Sequence, residues 1–128
     1  MWLKVTKLQY LALTQGIHVA VTCQLGEKLD PRDKEKKEMI YFPSLRGAWQ
    51  TMIGQYFSLY AFLSGESYQK GKDITFQNKL YTQSLGNYQA KSRYDLPAVI
   101  DNPNMATIID TIQQQAKVQK VQKAQAVT

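Results

Sequence analysis

The sequence predicts a mostly α-helical protein, a small bundle of about four to five helices, in which residues 17–25 can alternatively form a strand. Two observations lead to this fold class. Apolar residues recur at helical spacing over Ser44–Ser64. Residues that favour helix starts stand at Asp30, Asp73 and Asn104. The chain has 128 residues, the size of one domain that can bury a core of its own.

The first segment, residues 2–25, fits two structures. As a helix it carries one polar stripe, formed by Lys4, Lys7, Thr14, Gln15, His18 and Thr22. As a strand, the apolar residues from Ile17 to Leu25 alternate with polar or small ones, and Gln15-Gly16 would turn a hairpin. The β-branched residues favour the strand. The length of the polar stripe favours the helix, which we adopt.

A second helix is predicted from Asp30 to about Tyr41. Asp30 is suited to the N-cap, and Pro31 suits the first helical position. The helix should end there because Pro43 disfavours the α conformation in the residue before it. The charges in Arg32–Glu38 alternate in sign, which is typical of a solvated face.

The longest helix is predicted over Ser44–Ser64. Ser44 can cap its start, and Gly65 stands where a C-terminal glycine belongs. Its apolar stripe consists of Leu45, Ala48, Trp49, Met52, Ile53, Tyr56, Phe57, Tyr60 and Ala61. A second line of small residues is formed by Gly47, Gly54, Ser58 and Ala61. These small residues indicate a close contact with another helix or subunit.

Two further helices complete the predicted bundle. One follows the polar loop Glu66–Lys72 and runs from Asp73 to about Arg93. The other follows the connector Asp95–Asn104 and is capped by Asn104. Residues 1–116 therefore form one helical domain. Residues 117–128 are a basic Lys/Gln tail with a three-residue repeat, which could order only against a partner.

The distribution of charge is the clearest functional signal. The net charge is +6, and five of the ten acids lie within Glu27–Glu38 beside five basic residues that cancel them. The remainder of the chain holds eleven basic residues against five acids. A surplus separated in this way is typical of a surface that faces a polyanion such as nucleic acid.

Several kinds of chemistry are excluded by the residue inventory. The single cysteine, Cys23, cannot form an internal disulfide, which indicates a reducing, cytoplasmic location. His18 is the only histidine and shares no helix or strand face with Cys23. A nucleophile–base pair, a zinc site and a phosphate-binding loop are therefore not expected. We expect no enzyme activity, no metal and no cofactor, and the sequence contains no signal peptide or membrane span.

The candidate binding residues lie in two basic strips. Residues Ser67–Tyr94 hold five cations against one acid, and residues 117–123 hold three lysines. The predicted nucleic-acid-binding residues are Lys70, Lys72, Lys79, Lys91, Arg93, Lys117, Lys120 and Lys123. The aromatic residues among them are Tyr68, Phe76, Tyr81, Tyr88 and Tyr94. Cations beside rings suit phosphate contacts and base stacking, but the rings could equally be core and the lysines a surface coat.

In overall character the chain resembles the small subunits of type I CRISPR Cascade effector complexes. The resemblance rests on the opening Met1-Trp2-Leu3 inside an element, the core helix Ser44–Ser64, and the basic segments 70–93 and 117–123. It implies a compact helical protein that supports a guide–target duplex or a displaced DNA strand without catalysis, in antiviral defence. It also implies that the chain could arise from an internal start in a larger gene.

Two functions remain at this point. The first is a non-catalytic nucleic-acid-binding subunit of a multi-subunit complex, with nucleic acid, other subunits and copies of itself as partners. The second is a structural subunit of a virion or secretion assembly, in which the small-residue helix face and the tail contact protein. No membrane partner is expected in either case.

Overall fold

The computed structural model describes residues 2–35 and 37–127, and within them it contains three helices and seven strands. The strands form antiparallel pairs in several small sheets. The prediction of a mostly helical bundle is therefore wrong, and the fold is mixed α/β. Met1, part of the opening on which the resemblance rested, and Thr128, the last residue of the predicted tail, lie outside the described residues.

The chain divides into two compact units, the first ending at Phe57 and the second beginning at Ser58. The first unit contains helix α1 (Trp2–Gln15), strands β1 (Leu25–Leu29) and β2 (Met39–Pro43), and helix α2 (Trp49–Tyr56). The second contains strands β3 (Leu59–Tyr60), β4 (Phe62–Lys70), β5 (Asp73–Tyr81), β6 (Lys91–Ser92) and β7 (Val99–Asp101), and helix α3 (Met105–Val127).

Helix α1 confirms the helical alternative for the first segment only as far as Gln15. Gly16 follows with a φ of 63°, in the left-handed region that glycine adopts without strain. The N–H of Ile17 donates to the carbonyl of Ala12 at 3.2 Å, which is the six-to-one bond of a Schellman motif. Residues 17–24 are neither helix nor strand, and β1 begins only at Leu25.

The helix predicted from Asp30 to Tyr41 is absent, because the two aspartates bind backbone in a loop instead. The carboxylate of Asp30 accepts the N–H and the guanidinium of Arg32 at 2.9–3.1 Å. The carboxylate of Asp33 accepts the backbone N–H groups of Glu35, Lys37 and Glu38 at 2.7–3.0 Å. Aspartate competes with helical hydrogen bonds in this way, so the charged stretch forms turns.

Strand β2 replaces the end of that predicted helix and supplies the core of the first unit. It pairs antiparallel with β1, with Gly26 opposite Phe42 and Lys28 opposite Ile40. Phe42 and Ile40 are buried, whereas alternate residues of β2 are half-buried. A Cβ added to Gly26 would lie 3.0 Å from the Phe42 ring, so glycine permits this close approach.

The long helix predicted over Ser44–Ser64 is reduced to α2. Gly47, at a φ of 61°, precedes it, and Phe57 is extended with φ −115° and ψ 140°. Ser44 does not cap it, because α2 begins only at Trp49, after Ala48. The Ser44 N–H donates instead to the Gln24 carbonyl beside the β1–β2 pair. The predicted small-residue face is lost with the helix, since Gly54 is its one member that lies within α2.

Residues predicted as a polar loop and a further helix form the β4–β5 hairpin. The register is continuous from Phe62 opposite Tyr81 to Lys70 opposite Asp73. Gly71 has a φ of 66° at the first position of the two-residue loop, where a type II′ turn requires glycine. Asp73 therefore begins a strand instead of capping a helix.

The second unit is held together around strand β5. Strand β7 pairs with the end of β5, and Thr82, which follows β5, is fully buried at 0% exposure. The Thr82 hydroxyl donates to the Pro97 carbonyl at 2.7 Å, and its N–H donates to the Ala98 carbonyl at 3.0 Å. The buried apolar residues of this unit are Ala90, Leu96 and Ile108.

Helix α3 confirms the predicted last helix and its cap. The Asn104 side-chain oxygen accepts the N–H of Ala106 at 2.9 Å. Ile108 is buried, and Gln115 exchanges hydrogen bonds with the backbone of Asp95, whose N–H donates to Gln115 Oε1 at 3.2 Å. The helix then continues through the basic segment to Val127.

Candidate nucleic-acid interface

The eight predicted binding residues all belong to the second unit, where seven occupy three exposed places and Lys79 lies apart from them within its sheet. Lys70 and Lys72 lie at the tip of the β4–β5 hairpin, where both are exposed. Lys70 is the last residue of β4 and lies opposite Asp73 in the register. Lys72 lies in the turn itself. A hairpin tip with two cations can contact a phosphate, although Asp73 offsets part of this charge.

Lys79, on strand β5, is engaged within its own sheet. Its ammonium lies 3.1 Å from the Glu66 carboxylate and 5.7 Å from the centroid of the Tyr68 ring. Its side chain is 24% exposed. The Glu66 carboxylate also accepts the Tyr68 hydroxyl and, at 3.5 Å, the Tyr81 hydroxyl. Lys79 is therefore the least available of the predicted cations.

The electrostatics of this cluster agree with its geometry. Donation from the Tyr68 hydroxyl is the largest cause that lowers the pKa of the Glu66 carboxyl, and the Lys79 ammonium adds to it. The hydrogen bond with Tyr68, followed by the one with Glu66, raises the pKa of Lys79 above its ordinary value. Both charged forms are thus favoured in the folded hairpin.

Lys91 and Arg93 form the second place, beside strand β6. Both residues are exposed, and the half-buried Ser92 stands between them. The Arg93 N–H donates to the Ser58 carbonyl at 2.9 Å, which fixes the backbone at this position. The Ser92 hydroxyl donates to the Tyr94 carbonyl at 2.9 Å and accepts the Tyr94 N–H. Alternation along an extended strand therefore directs these two cations outward.

The third place is the C-terminal half of α3, which carries Lys117, Lys120 and Lys123. Every residue from Ala116 to Val127 is exposed. No acid follows Asp110 in the sequence. A spacing of three residues spreads the lysines over about 120° of the helix circumference. This segment is an exposed concentration of positive charge with no acid beside it in the sequence.

The aromatic residues of the first strip separate into two groups. Tyr88 stacks on Phe62 with ring centroids 4.1 Å apart, and Tyr81 lies 6.0 Å from the same ring. These rings pack against one another within the unit, in line with the alternative that the aromatic residues belong to the core. Phe76, in contrast, is 78% exposed. Sequence reasoning could not separate Phe76 from Tyr81 and Tyr88, because it placed all three on one helix that the structure does not contain.

The two faces of the β4–β5 hairpin differ in charge, a feature that the sequence reasoning missed. One face carries Glu66, Lys70, Asp73 and Lys79. The other face is uncharged and consists of Leu63, Gly65, Ser67, Gln69, Ile74, Phe76, Asn78 and Leu80. We call this second set the uncharged face. The alternation of apolar and polar residues over Ile74–Gln77 was a signal that could have indicated a strand here.

The residues excluded from catalysis are also exposed. His18 and Cys23 both lie in the irregular segment 17–24. Within residues 2–35 and 37–127, histidine, cysteine and acidic side chains do not gather in groups of three that could hold a metal ion. In the same part of the chain, none of the helices has the length and apolarity needed to cross a membrane.

Comparison of the chain with protein-family models, curated proteins and solved structures finds no match. The core helix Ser44–Ser64, which helped to carry the resemblance to Cascade small subunits, is reduced to α2. The helical fold that the resemblance implied is replaced by a mixed α/β fold.

Proposed function

We propose that this chain is a non-catalytic nucleic-acid-binding subunit of a larger assembly, located in the cytoplasm. The observation that carries the proposal is the C-terminal half of α3, in which Lys117, Lys120 and Lys123 are exposed on an acid-free helix. Lysines that neutralise phosphates release counterions from nucleic acid, and this release supplies most of the sequence-independent affinity.

The hairpin tip and strand β6 would provide secondary contacts. Lys70, Lys72, Lys91 and Arg93 are exposed and belong to the same unit as α3. Lys79 would contribute less, because Glu66 already neutralises it at 3.1 Å. Exposed lysines are flexible point charges, so this set suits contacts with the phosphate backbone more than it suits base recognition.

The large exposed surface supports the role of a subunit. The chain of 14.7 kDa exposes 10231 Å². Two separate compact proteins of half that mass would together expose about 8,400 Å². The difference is roughly 1,900 Å², whereas a standard protein–protein interface covers about 800 Å² of each partner. An excess of this size supports burial against other molecules.

Binding to labelled oligonucleotides tests the proposal. We expect the full chain to bind single-stranded or duplex oligonucleotides at low salt, and Lys117→Gln/Lys120→Gln/Lys123→Gln to weaken binding roughly tenfold. The matched control is Lys4→Gln/Lys7→Gln/Lys34→Gln, which removes the same charge from exposed positions in the first unit. No binding by the wild-type chain, or equal losses in both variants, would contradict the proposal.

A second candidate function, a structural subunit that assembles with its own copies, is favoured by the uncharged face. Phe76, Ile74 and Leu63 on this face are 78%, 62% and 59% exposed. Two chains of net charge +6 can meet through this surface without opposing their cations. Strand β4 is also an edge strand of nine residues in continuous register with β5, and such edges readily pair with another strand.

A further inference from the structure

The C-terminal half of α3 is a helix that its own chain does not cover. The packed part ends near Gln115, which is hydrogen-bonded to the backbone of Asp95. From Ala116 to Val127 all residues are exposed, over a length of about 18 Å. A helix packed on a flat surface buries one side, whereas a helix exposed on every side can be enclosed by a groove.

The side chains of this segment fall into chemically distinct rows. Gln119 and Gln122 are three residues apart and lie on one side of the helix. Lys123 and Lys120 occupy the adjacent flank, and Val118 borders the glutamines on the other side. The other residues of the segment, up to Val127, are also alanine, valine, glutamine or lysine.

We infer that this segment occupies the major groove of duplex DNA, an inference that rests on the proposed function. The groove of B-form DNA is about 12 Å wide, and an α-helix with side chains is about 10–12 Å across. Glutamine can donate to and accept from the adenine edge in this groove, and methyl groups of valine can contact thymine. The lysine flank then reaches the phosphates along one wall.

Other nucleic acids fit these rows less well. The major groove of duplex RNA is deep and narrow, so a helix cannot enter it. Binding of single strands relies on aromatic side chains that stack on bases, and α3 contains no aromatic residue. The chemistry therefore selects duplex DNA with A·T pairs at the contacted positions, over about five base pairs of helix length.

The segment is helical in the structure, which suits this mode. Alanine, glutamine and lysine have high helix propensity, and neither glycine nor proline interrupts α3. These residues explain why the helix continues past its last packed turn without a hydrophobic contact. A preformed helix loses little conformational entropy when it enters a groove.

Binding of the full chain to three oligonucleotides tests the inference: an A·T-containing duplex DNA, the duplex RNA of the same sequence and the single DNA strand. We expect the duplex DNA to bind at least about tenfold more tightly than either alternative. Gln119→Ala/Gln122→Ala should reduce the preference for A·T-rich over G·C-rich duplexes about tenfold and leave the helical circular dichroism unchanged.

The matched control is Gln83→Ala/Gln89→Ala, two exposed glutamines of the same unit outside α3. It should leave the preference unchanged. Equal binding of the duplex DNA, the duplex RNA and the single strand would overturn the inference while the proposed function stood. If Gln119→Ala/Gln122→Ala keeps the full preference for A·T-rich duplexes, the inference is also overturned and the proposed function stands. Absence of binding to all three oligonucleotides would instead overturn the proposed function, and the inference with it.

Discussion

The ammonium of Lys79 lies 3.1 Å from the carboxylate of Glu66 across the β4–β5 hairpin. The two residues stand diagonally on the charged face of the sheet, where the register places Lys79 opposite Ser64 and Glu66 opposite Gln77. Tyr68 joins the pair, since its hydroxyl donates to Glu66 and its ring lies 5.7 Å from the ammonium. We expect this cluster to couple the stability of the hairpin to pH and to limit the contribution of Lys79 to the proposed nucleic-acid binding.

Glu66→Gln should flatten the acid side of the stability profile. The pKa of Glu66 is lowered from 4.5 in the folded state, so its stabilising contribution is present above pH 4.5 and is lost as the pH falls through the folded value. The measurement is the thermal unfolding temperature of wild type and variant, compared from about pH 6 down to about pH 3. Parallel profiles would contradict the assigned role. Glu35→Gln, which breaks the exposed ion pair with Lys37, should change the stability at neutral pH little.

Lys79→Gln should weaken nucleic-acid binding less than Lys72→Gln. Lys72 is exposed in the hairpin turn, whereas Lys79 is paired with Glu66. The slope of log affinity against log salt is negative. Removing Lys72 should make it shallower by up to about 0.9, and removing the paired Lys79 should change it much less. Fluorescence titrations at several salt concentrations compare the two. A larger loss for Lys79→Gln would show that the Glu66 pair opens on binding.

Thr82→Val should destabilise the second unit by about 1–3 kcal/mol, because the Pro97 carbonyl loses its buried donor. Urea denaturation followed by circular dichroism measures the change. Thr75→Val, at an exposed position on β5, replaces one β-branched residue by another and should alter the free energy of unfolding by less than about 0.5 kcal/mol. Equal effects of the two substitutions would exclude a special role for the Thr82–Pro97 bond.

Ile74→Lys/Phe76→Lys should abolish self-association if the uncharged face joins two copies. Both residues are exposed, so the fold should tolerate the changes, while the added cations would repel one another across the contact. Sedimentation over a range of protein concentrations reports the oligomeric state. Leu13→Lys, at an 85% exposed leucine of α1, is the control. A wild-type chain that stays monomeric at every concentration would remove the second candidate function.

Local sequence signals located the features that depend on local chemistry. Asn104 caps α3 as predicted, because its side chain needs only the nearby N–H of Ala106. Gly16 ends α1 for an equally local reason, its positive φ, although the adopted prediction continued the helix to residue 25. The exposure of the lysines at the end of α3 follows from a segment without an apolar stripe.

Features that depend on pairing between distant segments were missed. The helical spacing over Ser44–Ser64 extends into residues that pair with strands elsewhere, such as Leu59 with Ser92 and Phe62 with Tyr81. Asp30 and Asp73 resemble helix caps in the sequence, yet one holds a loop and the other starts β5. Long-range pairing overrides such local preferences, and it also decided which aromatic rings are exposed.

The salt dependence of binding to a duplex oligonucleotide tests the central claim most directly. The wild-type chain should show a negative slope of log affinity against log salt. Lys117→Gln/Lys120→Gln/Lys123→Gln should make this slope shallower by roughly two to three, and Lys4→Gln/Lys7→Gln/Lys34→Gln should leave it unchanged. A wild-type affinity independent of salt, or a slope that survives the loss of all three α3 lysines, would contradict a nucleic-acid-binding role for this helix.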